Sequence, residues 1–122
     1  MSEEKLTIKL KSLTCFITDE DKFDDVFLKF DKKKVWPLDK KQHPVPVGNT
    51  KLNFTISNLT PNEPAVIELW DHDNFSANDL LGKFTLIPDK PGGPYTVDMV
   101  TPSTKDVAKY TMEWQILWPE DA

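Results

Sequence analysis

Alternation of hydrophobic and polar residues is the dominant pattern along this chain. In "KLTIKLKS" the apolar residues Leu6, Ile8 and Leu10 stand at every second position, and "TKLNFTIS" and "YTMEWQILW" repeat this spacing. A period of two is typical of a β-strand that buries one face. The shorter runs "VFLKF", "AVIELW", "GKFTLI" and "PYTVDMV" are rich in β-branched and aromatic residues. The pattern therefore predicts an all-β chain.

Proline-rich segments divide these runs from one another. The ten prolines lie mostly between predicted strands, as in "HPVP", "TPNEP" and "PDKPGGP", where they stop a strand or cap its end. No stretch sustains a helical period. Seven or eight strands at spacings of roughly 8–15 residues predict an antiparallel β-sandwich. We predict eight strands in one domain over residues 5–118, with residues 1–4 and 119–122 disordered.

Composition excludes several classes of protein. A chain of 122 residues suits one domain, and no apolar run approaches the roughly 20 residues of a membrane span. The start, "MSEEKLTIKL", has no signal-peptide core, so we expect a cytoplasmic protein. The single cysteine, Cys15, excludes an internal disulfide and is predicted to be a small buried hydrophobe. A net charge of −5 and the absence of arginine argue against nucleic-acid binding.

Acidic residues are concentrated in two segments between predicted strands. Eight of the twenty acids lie there: Asp19, Glu20, Asp21, Asp24 and Asp25 in the first segment, and Asp71, Asp73 and Asp79 in the second. Loops at one end of a sandwich can meet, and crowded carboxylates then need protons or a cation. Calcium takes six to eight oxygens in forgiving geometry, which suits aspartates from separate loops. An EF-hand is excluded, because the twelfth residue counted from Asp71 is Gly82 rather than glutamate. The alternative is a pair of solvated turns whose aspartates bond to their own backbone.

The spacing of these aspartates resembles that of the C2 domain family, a calcium-dependent phospholipid-binding module. The family's first loop has an aspartate followed six residues later by Asp-Pro-Tyr-Val-Lys-Val, and Asp19 followed by "DVFLKF" from Asp25 matches it. Its third loop reads Asp-x-Asp, a further Asp six residues on, two apolar residues and Gly, which matches Asp71, Asp73 and Asp79 before "LLG". The resemblance implies that these five aspartates bind two or three calcium ions.

The resemblance extends over about residues 5 to 118. The chain begins on the strand before the first calcium loop and ends with an extra strand, "KYTMEWQILW", an order that is similar to the family's type II topology. Two departures stand out. Val26 replaces the usual proline after Asp25, and "HPVPVGN" stands where the family tends to have Asn-Pro-x-Trp-Asn. Neither departure removes a predicted ligand.

Two further groups of residues are predicted to contact the membrane. Phe75, at the tip of the third loop, is expected to enter the headgroup region, with Phe23 of the first loop as a second candidate. A lysine-rich segment, "KFDKKKVWPLDKK", corresponds to the region that recognises phosphoinositides in C2 domains. The cluster predicted to contact lipid headgroups is Lys32, Lys33, Lys34, Lys40 and Lys41, with Lys29 nearby. The alternative is a solvated hairpin in which lysine protects an edge strand.

Catalysis is not expected from this sequence. It contains no nucleophile elbow and no P-loop. His43 lies in a proline-rich turn, and His72, between two aspartates, is expected to be exposed. We therefore predict calcium-dependent binding to anionic phospholipid membranes, including phosphoinositides, by a cytoplasmic protein that is recruited peripherally. The alternative is a calcium-independent protein-interaction module with the same fold, whose partner is another protein.

Overall fold

Nine β-strands account for most of the residues that the structure describes. The computed structural model describes residues 4–20, 22–73, 77–101 and 108–122. The strands are β1 Leu6–Ile17, β2 Phe23–Phe30, β3 Lys33–Trp36, β4 His43–Pro46, β5 Gly48–Leu59, β6 Ala65–Asp71, β7 Asp79–Leu86, β8 Gly92–Asp98 and β9 Lys109–Leu117. A 3-10 helix, Pro119–Asp121, follows β9. No helix among the described residues is long and apolar enough to cross a membrane.

The strands form two antiparallel sheets. The first has the order β5-β1-β9-β8, and the second has the order β3-β2-β6-β7 with β4 also pairing with β2. The prediction of an antiparallel β-sandwich is confirmed. When β4 is set aside, the remaining eight strands have the connectivity expected of type II topology.

Strand β4 is the element that the sequence pattern missed. His43–Pro46 was predicted to be part of a proline-rich turn, but it pairs antiparallel with the first half of β2, from Phe23 opposite Pro46 to Val26 opposite His43. Proline is tolerated at this edge position, where its missing N–H is not needed by a further strand. Val45 is fully buried, so the short strand is also anchored by a core contact. The sandwich consequently has nine described strands rather than eight.

The core is built from the alternating apolar residues of both sheets. Leu6, Ile8 and Leu10 of β1 are fully buried, as are Ile67 and Leu69 of β6. Burying a side chain of this size contributes roughly 1.5–3 kcal/mol, so the facing sheets give a rigid support for the loops. Cys15 is a buried free thiol, as predicted.

Strand pairing brings the two acidic connections to the same end of the sandwich. Strand β2 begins directly after the first connection, residues 18–22, and β6 ends directly before the second, residues 72–78. Because β2 and β6 are antiparallel neighbours, with Val26 opposite Asp71, the start of one strand lies beside the end of the other. The metal-binding hypothesis requires this meeting of the two loops.

Candidate metal centre

Three of the five predicted ligands converge at this end of the sandwich. One carboxylate oxygen from each of Asp19, Asp71 and Asp79 lies within 4.8 Å of the other two. Asp71 and Asp79 face each other at the ends of β6 and β7, and Asp19 comes from the first connection. Asp71 is 3% exposed, whereas Asp79 is exposed. This group can supply oxygen ligands to one cation from separate loops.

The other two predicted ligands, Asp25 and Asp73, lie outside this group of three. The backbone of Asp25 joins the two loops: its N–H donates to Asp71 Oδ1 at 3.1 Å, and its carbonyl accepts a bond from the His72 N–H at 2.7 Å. Asp73 is half-buried, and its N–H donates to Asn78 Oδ1 at 2.9 Å across the third loop. Their main chains therefore help to position the residues on either side of the candidate site.

The environment of Asp71 favours its protonated form when no cation is present. Burial, together with the negative charges of Asp24, Glu20 and Asp19, raises the pKa of this carboxyl from 3.8 to about 7. The hydrogen bond from the Asp25 N–H acts in the opposite direction. A divalent ion at the site would replace the proton and relieve the repulsion among these carboxylates.

Stability without calcium is predicted to fall as the pH rises. A carboxyl with a raised pKa binds its proton more tightly in the folded state, so the free energy of unfolding decreases between the ordinary value of 3.8 and about 7. In a chelator, the melting temperature should therefore decline across this interval. The Asp71→Asn variant should show a flatter profile, because its amide carries no titrating proton. Parallel profiles for the two proteins would contradict the assignment of this titration to Asp71.

Asp24 is a fully buried carboxylate that was not among the predicted ligands. It accepts hydrogen bonds from the backbone N–H of Asp19 at 2.9 Å, from the N–H of Glu20 at 2.7 Å and from the Tyr110 hydroxyl. Burial and the bond to Asp24 raise the pKa of Tyr110 well above its usual range, so the hydroxyl remains a donor. The sequence carried a signal for this role, since Asp24 shares the inward-facing alternation of Val26 and Leu28. Asp24 thus holds the backbone of a predicted ligand, Asp19, in place.

Replacing Asp24 by asparagine is predicted to weaken both the fold and calcium binding. The amide keeps one acceptor oxygen, but its NH2 group faces groups that are themselves donors. Loss of the charge-assisted hydrogen bonds should lower the free energy of unfolding by roughly 3 kcal/mol, which corresponds to about 10 °C in melting temperature. Thermal unfolding with and without calcium measures both effects. Tyr110→Phe should cause a smaller loss, because it removes one donor of the three. Asp39→Asn, in the exposed connection after β3, is the control and should behave like wild type.

Exposed apolar residues lie at the same end of the sandwich as the candidate metal site. Phe23, the second predicted membrane-contacting residue, is 44% exposed at the start of β2. Phe16 and Ile17 at the end of β1 are about half exposed, and Val47, between β4 and β5, is 63% exposed. Phe75 lies outside the described residues. We refer to Phe16, Ile17, Phe23 and Val47 as the apolar rim; three of its four members were not recognised from the sequence.

The predicted lysine cluster lies on and beside strand β3. Lys33 and Lys34 belong to β3, Lys32 lies in the turn before it, and Lys40 and Lys41 follow it. The ammonium of Lys34 donates to the Lys40 carbonyl at 2.6 Å, which ties the two halves of the cluster together.

A cavity connects this cluster to the third loop. It has a volume of about 200 Å³ and is lined by Phe27, Lys34, Lys41, His72 and Asn78. His72 is half-buried rather than exposed as predicted. Beside the cavity, the Lys29 ammonium lies 4.8 Å from the centre of the Trp70 ring, and the Phe27 and Trp70 rings stack. Lys34 and Lys41 of the cluster therefore share a cavity with His72 and Asn78, the residues next to Asp71 and Asp79 in the sequence.

Comparison with known structures identifies the fold. The chain aligns with CC2D1B, which coordinates ESCRT-III activity during the mitotic reformation of the nuclear envelope, at a TM-score of 0.61 and 10% identity over 95% of this chain and 55% of that one. A C2 domain of plant extended synaptotagmin 1 aligns at a TM-score of 0.57 and 12% identity, over 93% of this chain and 92% of that one. Another C2 domain aligns at a TM-score of 0.56 and 16% identity, over 93% of this chain and 98% of that one. No family model and no curated protein sequence matches the chain. The chain has the C2 fold, and the structural resemblance predicted from its aspartate spacing is confirmed.

Proposed function

We propose that this domain binds anionic phospholipid membranes in a calcium-dependent manner, through the end of the sandwich where the two acidic loops meet. The observation that carries the proposal is the convergence of Asp19, Asp71 and Asp79 within 4.8 Å. In the C2 fold, these positions match the metal-binding pattern that the sequence resembles. Asp25 and Asp73 would complete the ligand set, and two or three calcium ions would bind. We propose no catalytic role. We also propose that the protein is cytoplasmic and is recruited to membranes peripherally.

Calcium would act by changing the sign of the local electric field. Without calcium, the aspartates give this end a negative charge that repels an anionic leaflet. With all five carboxylates ionised, two divalent ions would cancel four of their five negative charges, while a third would make the end positive. Ions held by loop carboxylates keep coordination positions open, and lipid phosphate or carboxylate oxygens can fill these. Protein and membrane would then share the metal.

The apolar rim would hold the domain on the membrane after this electrostatic approach. Its four residues stand at the same end as the acidic loops and are already partly exposed. These side chains can enter the boundary between headgroups and acyl chains without any rearrangement of the core. Each Å² of apolar area that leaves water contributes about 25 cal/mol to the free energy of membrane binding. Phe75 is proposed to join the rim from the third loop.

The test of this function is sedimentation with liposomes that contain phosphatidylserine or only phosphatidylcholine, each with calcium and with chelator. Binding that requires both calcium and the anionic lipid is the expected result. The calcium-independent protein-interaction module makes the opposite prediction, since it would not sediment with either liposome in response to calcium. Thermal unfolding in the same buffers shows whether calcium binds when lipid does not.

Charge reversal in the lysine cluster is predicted to reduce binding to phosphoinositides specifically. Lys32, Lys40 and Lys41 can be replaced together by glutamate, because all three are exposed. Each lysine contributes on the order of 1 kcal/mol near an anionic leaflet, so the triple variant should bind phosphoinositide vesicles roughly a hundredfold less tightly at low salt. Its calcium-dependent gain in melting temperature should stay at the wild-type level. Equal vesicle binding by variant and wild type would show that the cluster is a solvated surface that does not contact lipid.

A further inference from the structure

A second surface, away from the acidic loops, has the features of a peptide-binding groove. The groove runs between the edge strands of the two sheets, β3 and β5, and has a volume of about 680 Å³. Strand β1 contributes Lys9, β3 contributes Lys33 to Val35, and β5 contributes residues 53–56. The groove is therefore part of the open side of the sandwich.

The floor of the groove is apolar. Val35, Phe54 and Ile56 are half-buried and pack against the core from their two sheets. Leu38, which follows β3, is 85% exposed and lines the same groove. Side chains of a ligand that covered these residues would remove apolar area from water at little structural cost, because the floor is already formed.

The charge at the groove has the opposite sign to that of the whole protein. Three lysines, Lys9, Lys33 and Lys34, line it against one terminal carboxylate, that of Ala122, and no acidic side chain is among its described lining residues. The ammonium of Lys34 is held by the carbonyl of Lys40 and keeps a defined position. In a chain of net charge −5, this local excess of positive charge favours an acidic ligand.

The backbone of β5 distinguishes a peptide from a lipid as the ligand. In the described part of the first sheet, β5 pairs with β1 on one side and has no strand on the other. Asn53 and Asn58 adopt positive φ values of 50° and 65°, and the residues between them, 54–57, form an extended stretch beside the groove. An added peptide strand can pair with the outward N–H and carbonyl groups of such an edge, whereas lipid chains cannot.

We propose that this groove binds an acidic peptide segment in an extended conformation, with apolar residues at alternate positions, as an added strand along β5. The alternating side chains would reach the apolar floor, and the acidic residues between them would meet the lysines. The proposal does not depend on calcium, because the groove residues are not those of the metal centre. Lys33 and Lys34 belong both to the groove and to the lysine cluster, so a bound peptide and an anionic membrane would compete for them.

The test uses a fluorescein-labelled peptide, Glu-Val-Glu-Leu-Glu-Val-Glu, and fluorescence polarisation in chelator. The comparison peptide, Glu-Glu-Val-Leu-Val-Glu-Glu, has the same composition without the alternation. We expect the alternating peptide to bind more tightly and to shift the backbone amide resonances of residues 54–57. Leu38→Glu and Lys9→Glu should each weaken its binding roughly tenfold or more, since each places a carboxylate against the acidic ligand.

Lys90→Glu is the matched control, because it makes the same change of charge at an exposed residue outside the groove. It should bind the alternating peptide as wild type does. Failure of the alternating peptide to bind, equal binding of both peptides, or insensitivity to both groove variants would overturn the proposal. If Leu38→Glu and Lys9→Glu instead weakened binding to phosphatidylserine vesicles and left peptide binding unchanged, the groove would be a lipid surface and the proposal wrong.

Discussion

Saturating calcium is expected to raise the melting temperature of this domain by about 10 °C, and Asp71→Asn is expected to abolish most of that gain. A ligand at a hundred times its dissociation constant stabilises the native state by about 2.7 kcal/mol, which corresponds to a shift of this size in a domain of 122 residues. Asp71 is the buried member of the group of three, so water cannot take the place of its carboxylate as a ligand of the ion. Thermal unfolding across a calcium titration measures the effect.

The variant is designed so that loss of calcium binding is separated from loss of fold. Asparagine retains an oxygen that can accept the bond from the Asp25 N–H, and it removes a negative charge from a repulsive cluster. In chelator above pH 7, Asp71→Asn should therefore be at least as stable as wild type. Asp89→Asn, at an exposed residue between β7 and β8, should keep the full calcium response. A normal response from Asp71→Asn would exclude this end of the sandwich as the metal centre.

Polar substitutions in the apolar rim are expected to accelerate release from anionic membranes by roughly tenfold or more, because each buried apolar side chain contributes about 1.5–3 kcal/mol and apolar contacts act mainly on dissociation. Ile17→Ser combined with Val47→Ser removes two members of the rim without touching a fully buried residue. Stopped-flow dissociation from phosphatidylserine vesicles on addition of chelator gives the rate. Calcium binding in the absence of lipid should be unchanged.

Phe75 is tested separately, because its role is inferred from its place in the sequence alone. Phe75→Ala should also speed dissociation, and Phe75→Trp should show a blue shift of fluorescence when calcium and vesicles are both present. Val100→Ser provides the control, since Val100 is 65% exposed and lies outside the rim. If the rim and Phe75 variants all dissociated at the wild-type rate, membrane binding would depend on the calcium bridge without insertion.

Local pattern was sufficient for most strands because each one has its own two-residue period. The alternation of Leu6, Ile8 and Leu10 identifies β1 whatever its neighbours are, and the same holds for β5 and β9. Strand β4 was not predictable in this way. Two of its four residues are prolines, which lack a backbone N–H. The strand can form because it lies at an edge next to β2, where those N–H groups are not needed for hydrogen bonds to a further strand.

The alternation of apolar residues and the positions of the aspartates were enough to predict an all-β chain and two acidic loops with C2-like spacing. Tertiary structure decided which of them meet, because carboxylates more than fifty residues apart, such as Asp19 and Asp71, come together only when β2 and β6 pair. It also decided that adjacent aspartates differ: Asp24 is fully buried and holds the first loop, whereas Asp25 is half-buried. A shift of one residue in strand register would exchange their faces, and the register is set by partner strands that are distant in the sequence.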